Sequence, residues 1–276
     1  MTDHTFDKAM ALEQSGAEPG RFTGKTSADY WNFVGPFGGT TASLVLQAVL
    51  GHPELLGAPI ALTVNYASAI EAGDFEIVAT PARTNRSTQH WTVQITQNDA
   101  QGKAQVNTTA TVVTAVRRDT WSINDAPMPE VPPPADVAPY GDMPSGVAWF
   151  AQYEMRPVSG AIPHTWDGSG DHSETVVWLR DAPPRPLDFA SLASMSDMFY
   201  PRVWLRRTKR VPAGTVSITT YFHADAAQLA EVGTGHLLGR ATGQQFRNGF
   251  FDQAAYLWSE SGKLLATSNQ IVYFKE

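Results

Sequence analysis

"GKAQVNTTATVV" (residues 102–113) and "GKLLATSNQIVY" (residues 262–273) are two versions of one strand, and their kinship decides the fold. Gly102 aligns with Gly262 and Lys103 with Lys263, inside the longer match of "QNDAQGKAQVNTTATVV" with "YLWSESGKLLATSNQIV". A turn and a strand therefore close each half of the chain. Alternate residues of a strand share a face, which groups Leu264, Ala266, Ser268, Gln270, Val272 and Phe274. That face leans apolar, and the amide of Gln270 is the oddity on it. Such a residue is either satisfied at a sheet edge or turned into a site. The aligned residue of the first half is Ala110.

Ahead of the closing strands, similar elements recur. In the first half "PFGGTTASLVLQAVLG" (36–51) predicts a helix, with a Gly-Gly start, Thr40 or Thr41 near the cap, and helix formers up to Gly51. Strands are predicted at 59–69, 74–85, 89–99 and 102–116. The second half predicts strands at 151–160 and 173–182, a helix over "LDFASLASMSDMFY" (187–200), then strands at 215–225, 236–246, 249–260 and 262–274. Between the halves lies "NDAPMPEVPPPADVAPYGDMPSG" (124–146), rich in proline and without apolar period, which reads as an extended linker. The expected organisation is residues 1–118, a linker over 119–147, and residues 148–276. Helices and strands do not alternate, which argues for α+β, two antiparallel sheets each wrapped around a long helix.

Composition bounds the function. At 42% hydrophobic and 17% charged residues the chain can bury a core and is not a disordered segment. The absence of cysteine removes disulfides, thiolate nucleophiles and cysteine metal sites. A net charge of −7 argues against nucleic acid as a partner. No apolar run approaches the roughly 18 residues of a membrane span, and the first residues lack the pattern of a signal peptide; a cytoplasmic protein is expected. "GRFTGKTS" (20–27) has three residues between its glycines where a phosphate loop needs four, and no nucleophile elbow, H-E-x-x-H or dinucleotide fingerprint occurs. "HTWDGSGDHSE" (164–174) holds residues that could bind a cation, but glycines interrupt it between two strands, so an exposed loop and no metal site is expected. "RVWLRRTKR" (202–210) is either a solvated basic loop or a docking site for phosphates of a small ligand, with Arg206, Arg207, Lys209 and Arg210 as the candidates beside Arg202.

The second-half helix adds a carboxylate. Asp188 suits the N-cap, and Leu192, Met195 and Phe199 form the stripe expected to face the sheet. Ala190, Ala193, Ser194 and Asp197 follow one flank, where small neighbours would leave space beside the carboxylate, as a ligand channel requires.

Three stretches then carry a family resemblance that runs over nearly the whole chain: "DYWNFVGPFGGTTASLVLQAV" (29–49), "EMRPV" (154–158) and "LASMSDMFYPRVW" (192–204) with the C-terminus. The chain resembles the acyl-CoA thioesterase II type of tandem (double) hotdog enzymes. In that family an aspartate of the second hotdog helix, a threonine opening the next strand and a glutamine of the last strand orient a hydrolytic water. Matched motif by motif, these fall on Asp197 in "ASMSDMF", Thr215 in "GTVSITTYFH" and Gln270 in "TSNQIV". The resemblance implies hydrolysis of acyl-CoA to free acid and CoA, no cofactor, and a homodimer of double-hotdog chains. Ala110 opposite Gln270 in the repeat implies one active centre per chain. The helix beginning at Gly38–Gly39 offers N–H groups for the oxyanion, with Gly39 the candidate.

One feature resists simple alternation, which puts Thr215 with Ser217, Thr219 and Tyr221, opposite Val216, Ile218 and Phe222. Either Thr215 precedes the regular strand or a bulge reorients it. His223 and Asp225 are the nearby polar alternatives. Two other functions compete: a hotdog hydratase or dehydratase of enoyl thioesters, against which the helix around Asp197 carries no histidine, and a non-catalytic acyl-CoA-binding module.

Overall fold

The computed structural model describes residues 3–141 and 147–276, so residues 142–146 of the expected linker lie outside the described residues. The chain forms two units. The first holds residues 3–121, 147–152 and 188–194; the second holds 122–141, 153–187 and 195–276. No helix among the described residues is long and apolar enough to cross a membrane.

The first unit begins with the short helix α1 (Thr5–Ala9) and builds an antiparallel sheet from β1 (Glu13–Gln14), β2 (Arg21–Lys25), β3 (Ala58–Tyr66), β4 (Asp74–Thr84), β5 (Thr88–Asn98) and β6 (Ala104–Ala115). Their order is β1-β2-β4-β5-β6-β3. Alternation is strict where it matters: Phe75, Ile77 and Ala79 of β4 and Trp91, Val93 and Ile95 of β5 are buried between exposed or half-exposed neighbours. Helix α2 (Gly38–Leu50) packs on that face and buries most of its length, including Val45, Leu46 and Val49. Each such side chain contributes about 1.5–3 kcal/mol on full burial. The Thr40 hydroxyl donates to the Phe37 carbonyl at 2.7 Å and helps close the first turn.

The second unit repeats the plan with β7 (Tyr153–Ser159), β8 (Thr175–Asp181), β9 (Ala213–Phe222), β10 (Leu237–Thr242), β11 (Phe246–Arg247), β12 (Phe250–Ser259) and β13 (Leu264–Phe274). The order is β9-β13-β12-β10-β8-β7, with β11 beside β12. Here the proline-rich segment finds a use. Trp178 and Trp258 on the outer face donate their indole N–H groups to the carbonyls of Pro132 (2.9 Å) and Ala126 (2.8 Å). Arg156 donates to the carbonyls of Pro134 and Val137. Met128, Val131 and Val137 pack on Val176, Trp178 and Leu238. An extended proline-rich strap leaves its carbonyls free for side-chain donors, and it explains why β8 is buried on both faces.

Three short helices complete the chain: α3 (Phe189–Met195), α4 (Arg202–Arg207) and α5 (Ala226–Val232). Helix α3 is shorter than the 187–200 expected. Asp188 caps its start, accepting from the Ser191 N–H at 2.8 Å, but the helix ends at Met195 and residues 196–197 form a turn. Ala190, Ala193 and Ser194 lie on the buried side of α3. They admit α2: the Ser43 hydroxyl donates to the Ala190 carbonyl at 2.6 Å.

Candidate active site

The turn after α3 carries Asp197, and two strands of the second unit, β13 and through it β9, connect to it. Asp197 is thus just past the helix rather than on its flank, and it is 8% exposed. The Ser268 hydroxyl of β13 donates to the Ser196 carbonyl at 3.0 Å, which ties the turn to the strand. Two residues along β13, on the same face, Gln270 is 6% exposed and donates from Nε2 to Asp197 Oδ1 at 2.7 Å. Because a carboxylate only accepts, the amide is oriented by its chemistry: NH₂ towards Asp197, Oε1 away. The Thr215 hydroxyl then donates to that Oε1 at 3.2 Å. One amide therefore joins a buried carboxylate to a hydroxyl, and Asp197, Gln270 and Thr215 are together.

A bulge brings Thr215 into this set. Along β9 and β13, Ile218 pairs with Gln270 and Ser217 with Ile271, but Val272 pairs with Thr215. Val216 is the extra residue, and it turns outward, 37% exposed. The insertion shifts the phase of the strand by one residue, so Thr215 joins the inner face of Ile218, Thr220 and Phe222. A second bulge, at the pairing of Leu257 and Trp258 with Ala266 and Leu264, removes Leu264 from the inner face, where Leu265 is buried instead. The polar alternatives are engaged elsewhere: the exposed His223 contacts the Thr267 hydroxyl at 3.1 Å, and Asp225 caps α5.

The repeat provides an internal contrast. At equal register the first unit pairs Val64 with Ala110, Ala110 with Val93 and Leu62 with Val112. The second pairs Ile218 with Gln270, Gln270 with Gln253 and Thr215 with Val272. Where one unit has leucine, alanine and valine, all buried, the other has Thr215, Gln270 and Gln253. Gln253 is not among the sequence candidates, although alternation in β12 sets it with Phe251, Ala255 and Leu257 and marks it as the same kind of oddity.

Gly39 is the second residue of α2 in the first unit. A Cβ there would stand 2.5 Å from the Ser194 carbonyl oxygen and from the Phe37 ring, so close backbone packing already requires glycine. The basic candidates lie on and after α4. Arg206 donates to the Gly170 carbonyl at 3.0 Å and Arg207 pairs with Glu276. Lys209 and Arg210 are exposed beyond the left-handed Thr208 (φ 43°) that ends the helix. Arg202 differs from them: it is fully buried, bonded to the carbonyls of Tyr200 and Ser173 and the Thr175 hydroxyl, with its guanidinium 4.8 Å from the Tyr200 ring centre. Burial pulls its pKa down to about 10. The loop 164–174 packs against this helix, Trp166 edge-on to Trp204, and Glu174 pairs with Arg240.

Comparison with known proteins agrees with this architecture. Residues 27–116 match the model of an acyl-CoA thioesterase N-terminal domain, and residues 127–274 that of an acyl-CoA thioesterase C-terminal domain. A hot dog fold protein of unknown function from Alicyclobacillus acidocaldarius is 45% identical, covers 100% of this chain and 99% of its own, and superposes with a TM-score of 0.91. An acyl-CoA thioesterase II, TesB2 of Mycobacterium marinum, has a TM-score of 0.76 at 16% identity over 98% of each chain. The dehydratase domain of PpsC from Mycobacterium tuberculosis, in complex with C12:1-CoA, is more distant, at 0.56 and 10% over 97% of this chain and 99% of that one. No curated protein matches the chain. The fold is the α+β double hotdog.

Proposed function

The chain belongs to the acyl-CoA thioesterase family, and from that premise we propose that it hydrolyses acyl-CoA thioesters, with Asp197, Gln270 and Thr215 holding the attacking water. The observation that carries the proposal is the bridging amide of Gln270, bonded at one end to Asp197 and at the other to Thr215. It fixes a general base and a hydroxyl in one geometry, and positioning of this kind is what an attacking water needs. The Thr215 hydroxyl donates to Gln270, so its lone pairs remain to accept from the water. The water oxygen bonds to the thioester carbon while Asp197 takes its proton. The C–S bond then breaks, and the proton returns to the departing CoA sulfur.

Lys209, Arg210, Arg206 and Arg207 are proposed to attract the CoA phosphates. Asp197→Asn keeps the size of the side chain and removes the base. Thiol release from an acyl-CoA panel should fall by about 10²-fold or more in a protein that still folds. Wild-type turnover in that variant would remove Asp197 from the mechanism.

A further inference from the structure

Gln253 stands directly across from Gln270 in the β12–β13 register, on the same inner face. It is 2% exposed, and its Nε2 has no acceptor among the described residues. Burial of an amide donor without an acceptor disfavours the folded state, and the fold does not require one here. The first unit builds the same register with Val93 opposite Ala110, both buried. The polar residue therefore serves something other than packing.

Its position narrows what that is. Directly opposed residues hold their Cβ atoms about 4.5–5.5 Å apart, so two side chains of equal length bring their amides close together. The amide of Gln270 is engaged at both ends, by Asp197 and Thr215. What the site still needs is a donor for an oxygen that only accepts. We infer that Gln253 is a catalytic residue whose N–H donates to the carbonyl oxygen of the bound acyl thioester and strengthens that bond as the oxyanion forms. The inference rests on the proposed hydrolysis and adds a member from the same unit to the site.

Gln253→Met keeps the length of the side chain and removes the donor, and Gln253→Val copies Val93. Two unreactive ligands separate the possibilities: a ketone analogue of acyl-CoA with CH₂ in place of sulfur, and an alkyl thioether of CoA that has no carbonyl. The wild type should prefer the ketone, and both variants should lose that preference. They should lose about 10²–10³-fold in kcat, while Tm stays constant or rises because the unpartnered donor is gone. Variants that keep the preference and the wild-type kcat overturn the role of Gln253, as does a lowered Tm with unchanged turnover per folded molecule. A wild type that binds neither analogue and releases no thiol overturns the hydrolysis itself, and with it this inference.

Discussion

Gln270→Ala is the substitution on which the two possible roles of this amide diverge most. As a residue turned into a site it could be removed at little cost, since Ala110 occupies the equivalent register of the first unit. The bonds of Gln270 argue for more. Its contact with Asp197 is short, 2.7 Å, and charge-assisted, a class that contributes about 1.5–3 kcal/mol. The longer neutral bond from Thr215 adds at most about 1 kcal/mol. The expected loss is therefore about 2–4 kcal/mol, which for a chain of this size lowers Tm by about 5–10 °C. Turnover should drop about 10²-fold, because the amide that joins Asp197 to Thr215 is then gone. The decisive assay is a double-mutant cycle with Asp197→Ala, read by urea unfolding. If the bond is as described, the double variant loses about 1.5–2.5 kcal/mol less than the sum of the single ones. Costs that add to within about 0.5 kcal/mol would refute the coupling.

Arg202→Met should destabilise by about 2 kcal/mol, since the Tyr200 and Ser173 carbonyls lose its bonds at about 1 kcal/mol each while the Thr175 hydroxyl keeps the Gly160 carbonyl; thermal melting checks this. Burial raises the pKa of Glu154, but bonds from Arg156, Arg180 and His236 outweigh it and hold the group at about 2. A depressed carboxylate stabilises the fold above its unfolded pKa, so that contribution should fade as pH falls from about 4.5 towards about 2. In Glu154→Gln this part of the Tm–pH slope should vanish. Replacing Lys209 and Arg210 together by Gln should raise KM several-fold with kcat unchanged, and added salt should act likewise. Arg207→Gln should do less than Lys209→Gln, because Arg207 is paired with Glu276; equal KM values in all variants would leave the segment a solvated surface.

The sequence alone determined what depends on short-range pattern. Period-two alternation and the Gly-Lys turns placed the strands, put Gln270 on an inner face and matched it to Ala110, because the two faces of a strand are set by residue parity. The same parity holds for Gln253 in β12, a residue the sequence candidates do not include. Parity fails where a residue is inserted, and whether Val216 bulges depends on the pairing of β9 with β13, so only the tertiary structure could turn Thr215 inward. Helix formers continued past Met195, yet α3 stops there and the Ser268 bond holds the following turn to β13. Composition marked 202–210 as one basic stretch, but only packing separates the buried Arg202 from the exposed Lys209 and Arg210. The proline-rich segment read as a linker because its own residues carry no apolar period. The tryptophans that hold it, Trp178 and Trp258, are distant in sequence, and partners of that kind are fixed only when the chain has folded.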